Sequence, residues 1–283
     1  MSHPFTPSSE HPLLVFGGPY SNLEATQAIH AEAERLGIPS GNTLCTGDLV
    51  AYCAAPEETV NYIREWGIAV VLGNCEQSLS ENADDCGCGF EEGSTCSLLS
   101  VGWYNYSRPR VSQNNKQWMG SLPEQIRFNY CGFNCLSIHG ALHSINQFIF
   151  PSSDRRDKHT QIQQADCDLM ITGHSGIPFG EQVAESKAWL NAGVIGMPAN
   201  NGSSKTWYML ITPEHDCLRI SWHPLEYDTL TAANAMTTAG LTYGYEKALI
   251  SGIWPSTDIL PAAEVNMTGK PLYLKELRLR PKS

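Results

Sequence analysis

Short apolar, β-branched runs recur through the first part of the chain, and each is closed by glycine. They are Leu13 to Phe16 before Gly17-Gly18-Pro19, Thr43 to Thr46 before Gly47-Asp48, and Ile68 to Leu72 before Gly73-Asn74. Runs of this length with β-branched members, stopped by glycine, predict buried strands. Between them the apolar spacing turns helical. Asn22 can cap a helix in which Ala25, Ala28, Ile29, Ala33 and Leu36 recur on one face, and Gly37 ends it. Pro56 opens a second helix with Glu57 and Glu58 in its first turn, running to Trp66 and stopped by Gly67. Strand, helix, strand, helix, strand predicts right-handed crossovers and a parallel sheet.

From Gln77 to Thr95 the periodicity breaks. The segment QSLSENADDCGCGFEEGST is acidic, glycine-rich and cysteine-bearing, and it reads as an inserted loop over about 77–96. Helical spacing resumes at Cys96 to Tyr106 and at Ser112 to Met119. Strand patterns follow at Gln125 to Tyr130, Asn134 to His139, Asp168 to Thr172, Lys187 to Asn191, Thr206 to Ile211 and Cys217 to Trp222. Hairpins among these predict a second, mixed sheet. From Tyr227 the tail carries helical patterns at Leu230 to Ala239 and Tyr243 to Ser251, then a proline-containing extension. No repeat or linker divides the chain, so a single domain over 1–283 is expected, with its core at about 12–222 and a helical extension at about 227–283.

The charge narrows the partners. A net charge of −11 over 283 residues argues against nucleic acid or an anionic membrane, both of which need a basic face. A phosphorylated substrate would then depend on a bound cation for its attraction. No apolar run approaches the ~18 residues of a membrane span. The opening MSHPFTPSSEHP shows no basic or apolar leader pattern, and a cytoplasmic location is the expectation. In that setting the ten cysteines are expected to be reduced, with Cys131, Cys135, Cys167 and Cys217 as core filler.

Four strand ends share one form, an apolar strand followed by glycine and a polar group: TLCTGD at Asp48, IAVVLGN at Asn74, CLSIHG at His139 and DLMITGH at His174. One carboxylate, one amide and two imidazoles at one sheet edge make a first shell for a divalent metal such as manganese, zinc, iron or nickel. Taken singly, each is an ordinary strand-ending turn residue; the ordered set is what favours metal. That order, with GDLVAYCAAP at Gly47 to Pro56 and NAGVIGMPANNG at Asn191 to Gly202, resembles the calcineurin-like metallophosphoesterases, in their small bacterial phosphatase and phosphodiesterase branch. The resemblance covers roughly residues 12 to 212. It implies an α/β (α+β) fold: a four-layer α/β/β/α sandwich of two mixed sheets, with metal between them. It also implies hydrolysis of a phosphate mono- or diester by metal-activated water.

The chain also departs from that pattern. The family's first motif, Asp-x-His-Gly-Asn, falls on Gly18-Pro19-Tyr20-Ser21-Asn22, and its closing Gly-His-x-His on Gly173-His174-Ser175-Gly176. Cys75 stands where the catalytic histidine is expected. The lost ligands all serve one metal position, so one site is expected kept and the other lost or rebuilt, with one or two ions per chain. Cys75, Cys86, Cys88 and Cys96 are the candidates for a rebuilt second site, the neighbouring Cys86 and Cys88 being poorly placed for a disulfide with each other. Asp48, His139 and Cys75 are the catalytic candidates, with Cys75 set against the leaving group. Tyr20, Asn22, His143 and Asn200 are candidate substrate contacts to a small phosphorylated molecule. Two other readings stay open: a catalytically silent metal- or ligand-binding relative, and a thiol or metal sensor built on the cysteine-rich insertion. Oligomeric state is not legible.

Overall fold

The computed structural model describes residues 5–281; residues 1–4 and 282–283, the former part of the stretch read for a leader, lie outside the described residues. Strand β1 (Leu13–Phe16) leads to helix α1 (Leu23–Arg35), closed at its start by the Asn22 side chain accepting from Ala25 N–H. Strand β2 (Thr43–Cys45), helix α2 (Pro56–Trp66) and strand β3 (Ala69–Val70) complete the expected alternation, and β1, β2 and β3 pair in parallel. Strand β3 is shorter than its apolar run. Val71 N–H still donates to Cys45 O, but Leu72 N–H turns to Pro123 O, and the chain leaves the sheet there.

A correction follows. Asn74 and Cys75 are not on a strand tip but open helix α3 (Asn74–Glu81). That helix has little apolar periodicity; Gly73 and Glu76 close its first turn instead, so helix begins where a loop was expected. Helices α4 (Thr95–Ser107) and α5 (Gln113–Met119) follow, then β4 (Gln125–Tyr130) and β5 (Phe133–Ile138). Helix α6 (Arg155–Gln164) left no apolar stripe because its buried residues are only Ile162 and Lys158. The Lys158 ammonium reaches Glu181 at 2.8 Å and Pro151 O at 3.1 Å, which is how a lysine faces a sheet.

Strands β6 (Leu169–Thr172), β7 (Phe179–Ala184), β8 (Lys187–Asn191), β9 (Thr206–Glu214) and β10 (Cys217–Leu225) come next. The tail adds α7 (Thr229–Thr238), α8 (Tyr245–Ser251), α9 (Ala262–Val265) and β11 (Leu277–Leu279). The extension is therefore not purely helical: β11 pairs antiparallel with β10 and edges the first sheet.

Two mixed sheets result, in the orders β11-β10-β9-β1-β2-β3 and β4-β5-β6-β8-β7. Alternation along β1 shows how they stack. Leu13 and Val15 join Leu44, Ile171, Leu190 and Met209 in the core between the sheets. Leu14 and Phe16 face the other way, into a core shared with α1, α2, α7 and α8. Ile162 of α6 packs on the far side of the second sheet with Met170 and Trp189. The outcome is the α/β/β/α sandwich. Among the described residues no helix is long and apolar enough to cross a membrane.

Leu44 is fully buried between the sheets on the strand that leads to Asp48. Leu44→Ala is expected to lower stability by about 2–5 kcal/mol in urea unfolding; an unchanged midpoint would show that this layer does not hold the sandwich together.

Candidate metal centre

Asp48, Asn74, His139 and His174 each lie just beyond a strand, after β2, β3, β5 and β6, and the two sheets bring them together. The glycines of the G-D and G-N pairs make this possible. A Cβ on Gly47 would come within 2.9 Å of His139 Nδ1 and Gly73 N; one on Gly73 would meet Asp48 N and Glu76 Oε2 at 2.6 Å. Asp48 and His174 themselves hold left-handed backbone, with φ of 59° and 60°, a strained conformation that clusters at functional sites.

His139 is the hub. Its Nδ1–H donates to Thr46 O at 2.6 Å, so in the neutral ring the lone pair sits on Nε2. Around that nitrogen lie Asn74 Oδ1 at 3.0 Å, His174 Nδ1 at 3.1 Å and Asp48 Oδ2 at 3.2 Å. All four residues are buried. His174 Nδ1 takes either role with its tautomer, and a proton on Nε2 can serve only one of the two oxygens. A cation serves all of them, and donors sharing one ion at about 2.1 Å sit roughly 3 Å apart. The residues therefore fit a divalent metal. Among the described residues, Asp48, His139 and His174 are the one group of three or more His, Cys, Asp or Glu donors drawn this close, within 4.8 Å.

The electrostatics agree with mutual dependence. Burial works against the Asp48 charge, but His139 outweighs it and holds the carboxyl below its ordinary range. Burial likewise opposes a charged His139, and Asp48 offsets this so that the imidazole is raised. Burial and then His139 push His174 down to about 3, leaving it neutral at pH 7. Its ring stacks on Phe148 at 4.1 Å.

Outer contacts aim these groups. Glu76, fully buried, accepts from Asp48 N–H and Leu49 N–H at 2.7 Å each and from Gly73 N–H at 3.1 Å, locking the Asp48 turn to the start of α3. Asn191 donates to Gly173 O at 2.7 Å and to Ser175 Oγ at 3.0 Å, and so fixes the turn that presents His174. The Asn74 amide donates to Cys86 O at 2.9 Å, which turns its oxygen to His139. The sequence reading missed Glu76 and the role of Asn191, although glycine followed by glutamate three residues later is a capping signal.

The cysteines do not build a second donor set. Cys86 and Cys88, expected to be poorly placed for pairing, are joined as a disulfide with Cα atoms 5.3 Å apart. The pairing takes both from the pool of ligands, and from the thiols expected to be reduced. Cys96 starts α4 beside Ser256 and Asp258 instead. Cys75 lies at Asp48, and burial and then the Asp48 charge raise its thiol well above the ordinary value, so with no ion beside it the neutral thiol is favoured. It is 1% exposed and is not among the residues lining the cleft.

That cleft opens above the centre and is lined by Tyr20, Asp48, His174 and Ser175 together with aromatic side chains, among them Trp254 from the tail. Neither lysine nor arginine lines it. Of the other substrate candidates, only Tyr20 is here. Asn22 is spent on its cap, Gly196 O and Tyr227 Oη. His143 is exposed and meets Gln164. Asn200 ties the tail, donating to Thr268 Oγ1 and accepting from Trp254 N–H. At Gly176, where the family resemblance expects a second histidine, a Cβ would come 3.2 Å from the Trp254 ring.

No family model matches the chain. An uncharacterized protein of Methanocaldococcus jannaschii is 28% identical over 234 residues, 76% of this chain and 88% of its own. A metallophosphoesterase from Sphaerobacter thermophilus superposes with a TM-score of 0.66 at 20% identity, over 86% of this chain and 99% of that one. A hypothetical protein from Pyrococcus horikoshii OT3 gives 0.72 at 16% identity, over 85% and 98%. The fold of this chain is that of the calcineurin-like metallophosphoesterases.

Glu76→Gln and Asn191→Ala each leave the four donors in place, so they are expected to weaken manganese binding by about 10–100-fold in a calorimetric titration. Wild-type affinity in both variants would mean that the outer hydrogen bonds do not set the donor geometry.

Proposed function

We propose that this chain uses the calcineurin-like fold as a metal-dependent phosphoesterase, with one divalent ion held by Asp48, Asn74, His139 and His174. The observation that carries this reading is the convergence of Asn74 Oδ1, His174 Nδ1 and Asp48 Oδ2 at 3.0–3.2 Å on His139 Nε2 in a buried place. Two imidazoles, a carboxylate and an amide suit manganese, zinc, iron or nickel better than magnesium or calcium, which prefer oxygen alone. A divalent ion there supplies Lewis-acid polarisation of a phosphoryl oxygen and a more acidic water.

The chain's own groups do the rest. With no lysine or arginine lining the cleft, the donor set is where an anionic phosphoryl group finds positive charge. Asn74 and His139, fixed by Cys86 O and Thr46 O, keep that charge at the cleft floor. Burial and the Asp48 charge keep the Tyr20 phenol protonated, so its hydroxyl is a hydrogen-bond donor to a phosphoryl oxygen. The substrate is a small phosphorylated molecule, mono- or diester. One observation favours a rival, a ligand-binding relative without turnover: the chain offers no second group of donors among the described residues.

Turnover of bis(p-nitrophenyl) phosphate or p-nitrophenyl phosphate is expected to vanish on adding EDTA and to return with manganese or zinc. His139→Ala should lose both the activity and the bound ion. A folded wild-type chain that binds manganese and turns over neither ester would leave the silent relative standing.

A further inference from the structure

The cleft above the donor set is walled by rings from six separate segments: Tyr20, Tyr52, Phe90, Phe148, Tyr245 and Trp254. They form two packed groups. On one side Phe90 stacks with Phe148 at 6.2 Å and 13°, and Phe148 stacks with His174 at 4.1 Å and 27°. On the other, Tyr20 meets Tyr52 edge-on at 4.8 Å, and Tyr52 meets Tyr245 at 4.4 Å. Trp254 is held by its indole N–H on Pro198 O at 2.6 Å and by its backbone N–H on Asn200 Oδ1 at 2.9 Å. Asp48 is the lone carboxylate of the lining, and it belongs to the donor set.

Resting on the phosphoesterase reading above, we propose that the site is selective for phosphoesters whose organic group is a flat ring system, an aryl group or a nucleobase. The stack continues from His174 into Phe148, so a ligand whose phosphoryl group reaches the donors has its organic part among the faces and edges of these rings. Those faces reward flat π surfaces whatever their hydrogen-bonding edges. A charged group would meet no lysine or arginine there, and a polyhydroxylated one only the hydroxyls of Ser175, Ser256 and the three tyrosines.

The test is equilibrium binding to the manganese-loaded full chain of four probes: AMP, phenyl phosphate, glycerol 1-phosphate and inorganic phosphate. The ring-bearing pair should bind at least about tenfold tighter than the other two, as stacking on one or two rings supplies. If AMP alone does so, a nucleobase is the ligand; if phenyl phosphate equals it, any aryl group suffices. Trp254→Ala should bring the ratio of AMP to phosphate affinity towards unity, with Trp254→Phe restoring much of it. Equal affinity for all four probes, or loss of phosphate and AMP in parallel in Trp254→Ala, would overturn the inference. Adenosine binding to metal-free His139→Ala separates the two readings. Retained binding there supports the ring site even where phosphoester turnover fails, and no binding counts against it.

Discussion

The centre depends on one fully buried carboxylate that does not line the cleft. Glu76 accepts from Asp48, Leu49 and Gly73, and so ties the loop after β2 to the first turn of α3. Those two loops carry Asp48 and Asn74. Burial and the Asp48 charge push Glu76 up to about 7, while His139 and then the Asp48 and Leu49 N–H groups favour its ionised form. The clamp explains the glycines in turn: nothing larger than hydrogen fits at Gly73 between Asp48 and Glu76. Packing, capping and electrostatics are one arrangement here.

The disulfide-bearing loop serves the centre in a way its composition did not suggest. It supplies no ligand. Its Cys86 carbonyl takes the Asn74 amide proton, while Gly87 O accepts from Asn146 in the loop after β5. The loop is thus a support that sets the direction of a neutral ligand, whose two ends differ only in which one donates. Cys75 fits the same picture as a neutral, buried thiol beside Asp48.

The tail changes the other half of the site. Trp254 approaches Gly176, and Tyr20 stands beside Asp48, so rings occupy the surroundings that the family pattern gives to further donors. A centre with one donor set and an aromatic cleft asks different things of a ligand than one with two sets of charged groups. In the proposed function the phosphoryl group is met at the floor and the organic group at the walls.

Much of the architecture was written in local pattern. The runs at β1, β4 and β8, the capped start of α1 and the limits of α2 follow directly from hydrophobic period, glycine stops and Pro56. The four polar groups were visible because each stands beside a glycine just past an apolar run, although Asn74 proves to open a helix. Helices α3 and α6 were not, since one rests on a cap and the other buries a lysine through Glu181. Nor could order along the chain tell Asn22 and Asn200, which hold the frame, from Asn74, which faces His139. An amide donates and accepts equally well anywhere, and only the packed neighbours choose which end points where. The sequence by itself determined that a carboxylate, an amide and two imidazoles would end four strands. The tertiary structure decided that they share one centre, that the cysteines stay out of it, and that aromatic rings surround it, because those outcomes depend on contacts between segments far apart in the chain.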